Sequence, residues 1–172
     1  MTDFKTAFDR VERRIEDVYD IEVNISDVVD PNTGDFDGLR IKLDYTLDLD
    51  LALFVLIHLF GHTVQWNVSE EFRRLGQDPS LRKTDAELAK IYAYERDATR
   101  YSLQLMHDAG VADLDRWVSD WFAADWAYLA HLYRTGEKLD PRALFKAGAG
   151  ERLTPLPIPA FKPQKWLSRW SF

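Results

Sequence analysis

The stretch "LIHLFGHTVQW", residues 56–66, sets two histidines four positions apart in an almost wholly apolar segment. At about 100° per residue, positions four apart on a helix lie on nearly the same face, one turn up. A helix here would bring His58 and His62 side by side, each able to offer a ring nitrogen to one metal ion at about 2.0–2.1 Å. Gly61, just before the second histidine, leaves room for a neighbouring chain to approach closely. Taken outward, "DLDLALFVLIHLFGHTVQWN" is apolar nearly all round, as a buried helix is, with Asp48 or Asp50 as its N-cap.

Upstream, Phe4, Ala7, Phe8, Val11, Ile15, Val18 and Tyr19 recur at helical spacing, with Thr2 or Asp3 as the cap. The period then changes to two. Ile21, Val23 and Ile25 alternate with Glu22 and Asn24, and the alternation resumes at Leu39, Ile41, Leu43, Tyr45 and Leu47. The turn-rich "DPNTGDFDG" lies between, so the expectation is an antiparallel pair of strands.

Downstream, a polar connection from about residue 69 to 83 carries a short helix in "EEFRRLG". Thr84 or Asp85 starts a long helix that Gly110 ends. A third long helix, capped by Asp113 or Asp115 and closed by Gly136, carries Trp117, Trp121, Phe122, Trp126, Tyr128 and Tyr133. Those aromatics are too many for one narrow stripe. Together with "WLSRW" in the tail they could form a recognition surface or bury a homodimer interface, although in a small chain such residues mostly build the core. Prolines at 155, 157, 159 and 163 forbid a regular helix in the tail, which is expected to lie extended across the body.

With 172 residues, 46% of them hydrophobic and 30% charged, the chain reads as one globular domain over 1–172. A net charge of -7 argues against tight non-specific binding to DNA or RNA. There is no cysteine, which excludes disulfides and thiolate metal sites. The N-terminus has no apolar signal region and the longest apolar run is short for a bilayer span, so a cytoplasmic protein free of the membrane is expected. No phosphate-binding glycine loop or G-x-S-x-G occurs.

A tetrahedral catalytic site needs a third protein ligand and an open position. Glu95, in "YERDATRYSLQLM", offers one from the next long helix. At this point the sequence resembles the ImmA/IrrE-type zincin-like metallopeptidases, whose metal helix reads roughly H-E-x-G-H and whose second helix reads roughly E-x-x-A-x-x-F-A-x-x-L-M. Here the first motif stands as His58-Leu59-Phe60-Gly61-His62. The second stands as Glu95, Ala98, Tyr101, Ser102, Leu105 and Met106. The resemblance implies an α+β, mostly helical, zincin-like core over residues 1–110. It would hold an N-terminal helix, a short antiparallel sheet and a metal-helix/glutamate-helix pair. Added to it are aromatic helices over 111–150 and an extended tail over 151–172. It further implies zinc held by His58, His62 and Glu95, although nickel, cobalt, iron or manganese suit the same ligands.

Leu59 departs from the family. In a zinc peptidase the glutamate at that place accepts a proton from water and passes it to the leaving amine, a contribution of roughly 10²–10⁴-fold. Leucine cannot, so no catalytic residue is assigned and the expectation is a pseudo-peptidase that regulates or binds a protein. The resemblance implies a transcriptional repressor as that partner. Asp97 should point away from Glu95; Glu70, Glu71, Asp120 and Asp125 are the carboxylates that could replace the base, structural duty being the commoner role. His107 and His131 lack comparable partners. Two rival readings stay open: an active peptidase with a replaced base, and a metal-free interaction module with ordinary core histidines.

Overall fold

The computed structural model describes residues 1–29 and 32–166. Helix α1 spans Phe4–Tyr19, with Asp3 accepting from the Thr6 amide at its start. Its buried residues Ala7, Phe8, Val11 and Ile15 share one stripe. Strands β1 (Glu22–Ser26), β2 (Gly34–Phe36) and β3 (Arg40–Asp44) follow, then helices α2 (Leu49–Val68), α3 (Glu70–Gln77), α4 (Asp85–Asp108), α5 (Asp115–Thr135) and α6 (Pro141–Leu144). The α+β, mostly helical class matches the sequence reading.

The sheet does not. β1 and β3 pair in parallel, Val23 opposite Ile41, and β2 lies on the far side of β3, antiparallel to it. The segment read as a plain turn carries this third strand. Its hairpin turns at Gly38, where φ is 92°, and Asp37 accepts from the amides of Leu39 and Arg40. The chain between the two long strands reverses twice, which leaves them parallel. The buried part of the alternation is also shorter than expected. Val23, Ile41 and Leu43 are buried, whereas Ile25 is exposed, as are Leu39 and Tyr45, which fall just outside β3.

α2 runs through the middle, packed on the sheet, α1, α3 and α4. It is long and apolar enough to cross a membrane, but 61% of its apolar window is buried within the fold. Burial on several sides accounts for its lack of a polar face. Asp48 occupies the N-cap position without a side-chain cap bond; it and Asp50 bind Arg142 instead. α4 begins with Thr84 and Glu87 in a reciprocal capping box. α5 starts from Leu114, not from either expected aspartate. Asp113 holds Thr2 and Asp115 holds His107.

The tail is extended, as the prolines require. Leu156 donates its amide to Arg100 and Phe161 stacks on Tyr19. Trp166 ends beside the hairpin turn with Arg73 over its ring. The remainder of "WLSRW" lies outside the described residues.

α2 and α4 approach closely at Gly61. A Cβ at Gly61 would stand 2.2 Å from the carbonyl oxygen of Ala98, so the backbones meet where any side chain would keep them apart. Ser102 reinforces the pair by donating to the Ile57 carbonyl, at 2.7 Å. Gly61→Ala should therefore cost about 3 kcal/mol, the upper end for overpacking. Urea unfolding of the metal-free protein measures this, and a loss well under 1 kcal/mol would show that the helices can separate freely.

Candidate metal centre

The contact at Gly61 sets the site, because His62 is the next residue and Glu95 lies one turn before Ala98 on α4. His62 Nε2 stands 3.0 Å from His58 Nε2 and 3.0 Å from Glu95 Oε2. His58 Nε2 is 3.3 Å from the same carboxylate oxygen. Ligand atoms bound tetrahedrally at about 2.0–2.1 Å stand roughly 3.3 Å from one another. The triangle has the size that a single ion requires. Among the described residues these three form the one group of histidine and carboxylate side chains with that convergence.

The surroundings fix the ring atoms that face inward. Gln65 donates its amide nitrogen to the Tyr94 carbonyl at 2.7 Å, which turns its oxygen toward His62 Nδ1, 2.9 Å away. That oxygen can only accept, so Nδ1 carries the proton and Nε2 presents a lone pair. A metal-ligating histidine is commonly oriented in this way through its other nitrogen. The His62 ring is stacked between Phe36 and Tyr94, and His58 is stacked on Phe54. His58 Nδ1 is buried without a hydrogen-bond partner among the described residues.

Charge in the cluster keeps Glu95 ionised and His62 neutral, while it draws His58 toward its protonated form. Burial would raise the Glu95 carboxyl, but the two imidazoles outweigh it and hold the group well below the ordinary range. Burial lowers His62, against the pull of Glu95. Burial also opposes a charge on His58, yet its bond to Glu95 and the charges of Asp125 and Glu95 leave it raised. An ionised carboxylate and a neutral imidazole are the states a divalent ion takes up.

The triangle lies in the wall of a cleft of about 190 Å³. β2 supplies Gly34, Asp35 and Phe36, α2 supplies Leu59 and Trp66, and α5 supplies Asp125, Leu129 and Tyr133. Arg82, also in the lining, is 5% exposed and donates to the carbonyls of Leu75 and Asp78. Leu59 lies against β2: a Cβ at Gly34 would stand 2.8 Å from its Cδ1.

The other carboxylates singled out in the sequence separate cleanly. Asp97 pairs with Arg100, and Glu70 and Glu71 stand exposed in the first turn of α3, so none of them lines the cleft. Asp120 accepts from the amides of Gly148 and Gly150 and pairs with Arg116, which is structural work. Asp125 alone of this group lines the cleft. Burial lifts its carboxyl to about 6, with His58 pulling it down and Glu95 pushing it up. His107 binds Asp115 and His131 pairs with Glu137, both away from the site.

Comparison with protein-family models, with characterised proteins and with solved structures returns no match to this chain. The ligand set therefore rests on its own geometry. Gln65 was not foreseen in the sequence, since its full burial beside His62 emerges only in the fold. Gln65→Leu should weaken zinc binding about 10–100-fold, the usual effect of removing such a partner. Competition against a chromophoric chelator measures it; an unchanged affinity would show that the inner-facing nitrogen needs no such support.

Proposed function

We propose that this chain is a zincin-like metal-binding protein of the kind it resembles, holding one divalent ion through His58, His62 and Glu95. The carrying observation is the triangle of ligand atoms with sides of 3.0, 3.0 and 3.3 Å. Two imidazole nitrogens and a carboxylate suit zinc, while nickel, cobalt, iron and manganese suit the same donors. Such an ion, when bound, polarises a carbonyl oxygen and lowers the pKa of water. The chain's own part is to hold His62 in one tautomer through Gln65, to keep Glu95 ionised, and to present all three groups to the cleft.

Peptide hydrolysis by the ImmA/IrrE route is impaired on this reading. Leu59 fills the place of the acid–base glutamate with a methyl-tipped side chain packed toward Gly34. The loss expected from that exchange alone is roughly 10²–10⁴-fold. What remains is a metal-bearing cleft suited to regulation or to binding a protein. At about 190 Å³ it is smaller than the roughly 300–1,000 Å³ of typical small-molecule pockets, and a strand edge, β2, forms one wall. A short segment of a protein partner fits that shape; the resemblance would make the partner a transcriptional repressor.

Metal binding that acts only on the folded state raises stability by about 2.7 kcal/mol when free metal is a hundredfold above Kd. For a chain of this size that is roughly 5–11 °C in Tm. Zinc should raise the melting temperature of the parent by that amount, EDTA should reverse it, and His58→Ala/His62→Ala should show neither effect. Elemental analysis should find about one zinc in the parent and none in the double variant. A parent that takes up no zinc and melts unchanged would sink the metal reading and leave a metal-free interaction module.

A further inference from the structure

Asp125 lines the cleft without belonging to the ligand triangle. Trp121, one turn earlier on α5, stacks on Phe54 at 5.4 Å, and Phe54 stacks on His58 at 5.7 Å. Tyr92 of α4 holds the other side of α5 through Phe122 and Trp126. These contacts fix α5 against both ligand-bearing helices. Asp125, Leu129 and Tyr133, each a turn apart, become its cleft-facing stripe.

Asp125 lies close enough to feel the charges of His58 and Glu95. It does not join the three groups whose ligand atoms lie within 4.8 Å of one another, and it makes no hydrogen bond or ion pair with another described residue. The carboxylate is part-buried. Keeping such a group in an apolar helix costs stability unless it has a partner. Every other inward aspartate of α5 has one: Asp115 has His107, and Asp120 has two amides and Arg116. Asp125 has no hydrogen-bond partner among the described residues, only the charge of His58 nearby, and it lines the same cleft as the ligand cluster.

The geometry points to Asp125 as the proton acceptor of this site, presented to the cleft from α5 while Leu59 fills the place of the family's glutamate on α2. The inference rests on the metal-binding reading above and adds a residual hydrolytic capacity to it, on carbonyl–nitrogen bonds of the peptide type. In that step the oxygen of water bonds to the carbonyl carbon and the water proton passes to the Asp125 carboxylate. The C–N bond then breaks, the proton leaves with the amine nitrogen, and Asp125 returns to its ionised form beside an acid and an amine.

Acetohydroxamic acid, a small chelator that gives up one proton when it binds a divalent ion, tests this without turnover. Zinc content, zinc affinity, hydroxamate affinity and the melting temperature of the metal-free protein are compared for the parent, Asp125→Asn and Asp125→Glu. Both variants should keep one zinc at an affinity within about threefold of the parent. Asp125→Asn should bind acetohydroxamate about 10–100-fold more weakly, the range for losing a hydrogen bond to a charged group, and Asp125→Glu should recover part of that loss. Metal-free Asp125→Asn should melt no lower than the parent.

Unchanged hydroxamate affinity in Asp125→Asn, with zinc still bound, would overturn the inference while the metal reading stands. A hundredfold loss of zinc affinity would overturn it too, making Asp125 a ligand, and a lower melting temperature would make it a structural group. No zinc in the parent would overturn both readings together.

Discussion

The backbones of α2 and α4 touch at Gly61 and Ala98, and the position of every group in the site follows from that contact. It sets His62 and Glu95, one on each helix, against each other at 3.0 Å. His58, one turn back on α2, completes the triangle. Sheet and α1 bury the rest of α2, and α5 closes over the two helices through a ladder of aromatic rings that ends on His58. With any side chain larger than hydrogen at residue 61 the helices would part, and the three ligand atoms would no longer share a centre.

The cluster is poorly explained as a stabilising device. Two imidazoles and a carboxylate, with exposures of 15%, 8% and 7%, give up hydration that apolar side chains of similar volume would not lose. Replacing buried ionic groups with well-packed hydrophobic ones is often neutral or stabilising. A fold that keeps such a group, orients one ring with a buried glutamine and sets an aspartate in the same cleft with no hydrogen bond to a described residue has accepted a local cost. Costs of this kind concentrate where a protein binds or reacts.

Much of this was legible in the chain, and the failures have physical causes. The spacing of His58, Gly61 and His62 specified a helix, a shared face for the two rings and a close approach, and all three are seen in the geometry. Glu95 and Ala98, three residues apart in the second motif, lie on the helix that packs against α2. The sheet was misread because period-two alternation marks which face of a strand is buried and is silent about direction. Three residues of strand hidden among turn formers, Gly34–Phe36, changed the pairing. Asp120 and Asp125 look alike in sequence, five positions apart on one helix. Only the tertiary path of residues 148–150 shows that the first is a cap for backbone amides, leaving the second for the cleft. Gln65 was overlooked because a polar residue on a fully buried helix has no periodic signature.

The central claim is that one ion joins α2 to α4 through three named atoms. Diffraction from zinc-soaked crystals, recorded on both sides of the zinc absorption edge, tests it most directly. The account predicts one strong anomalous peak about 2.0–2.2 Å from His58 Nε2, His62 Nε2 and Glu95 Oε2, with Gln65 still bonded to His62 Nδ1. No peak at that point, or one bound through Nδ1 of either histidine, would contradict it.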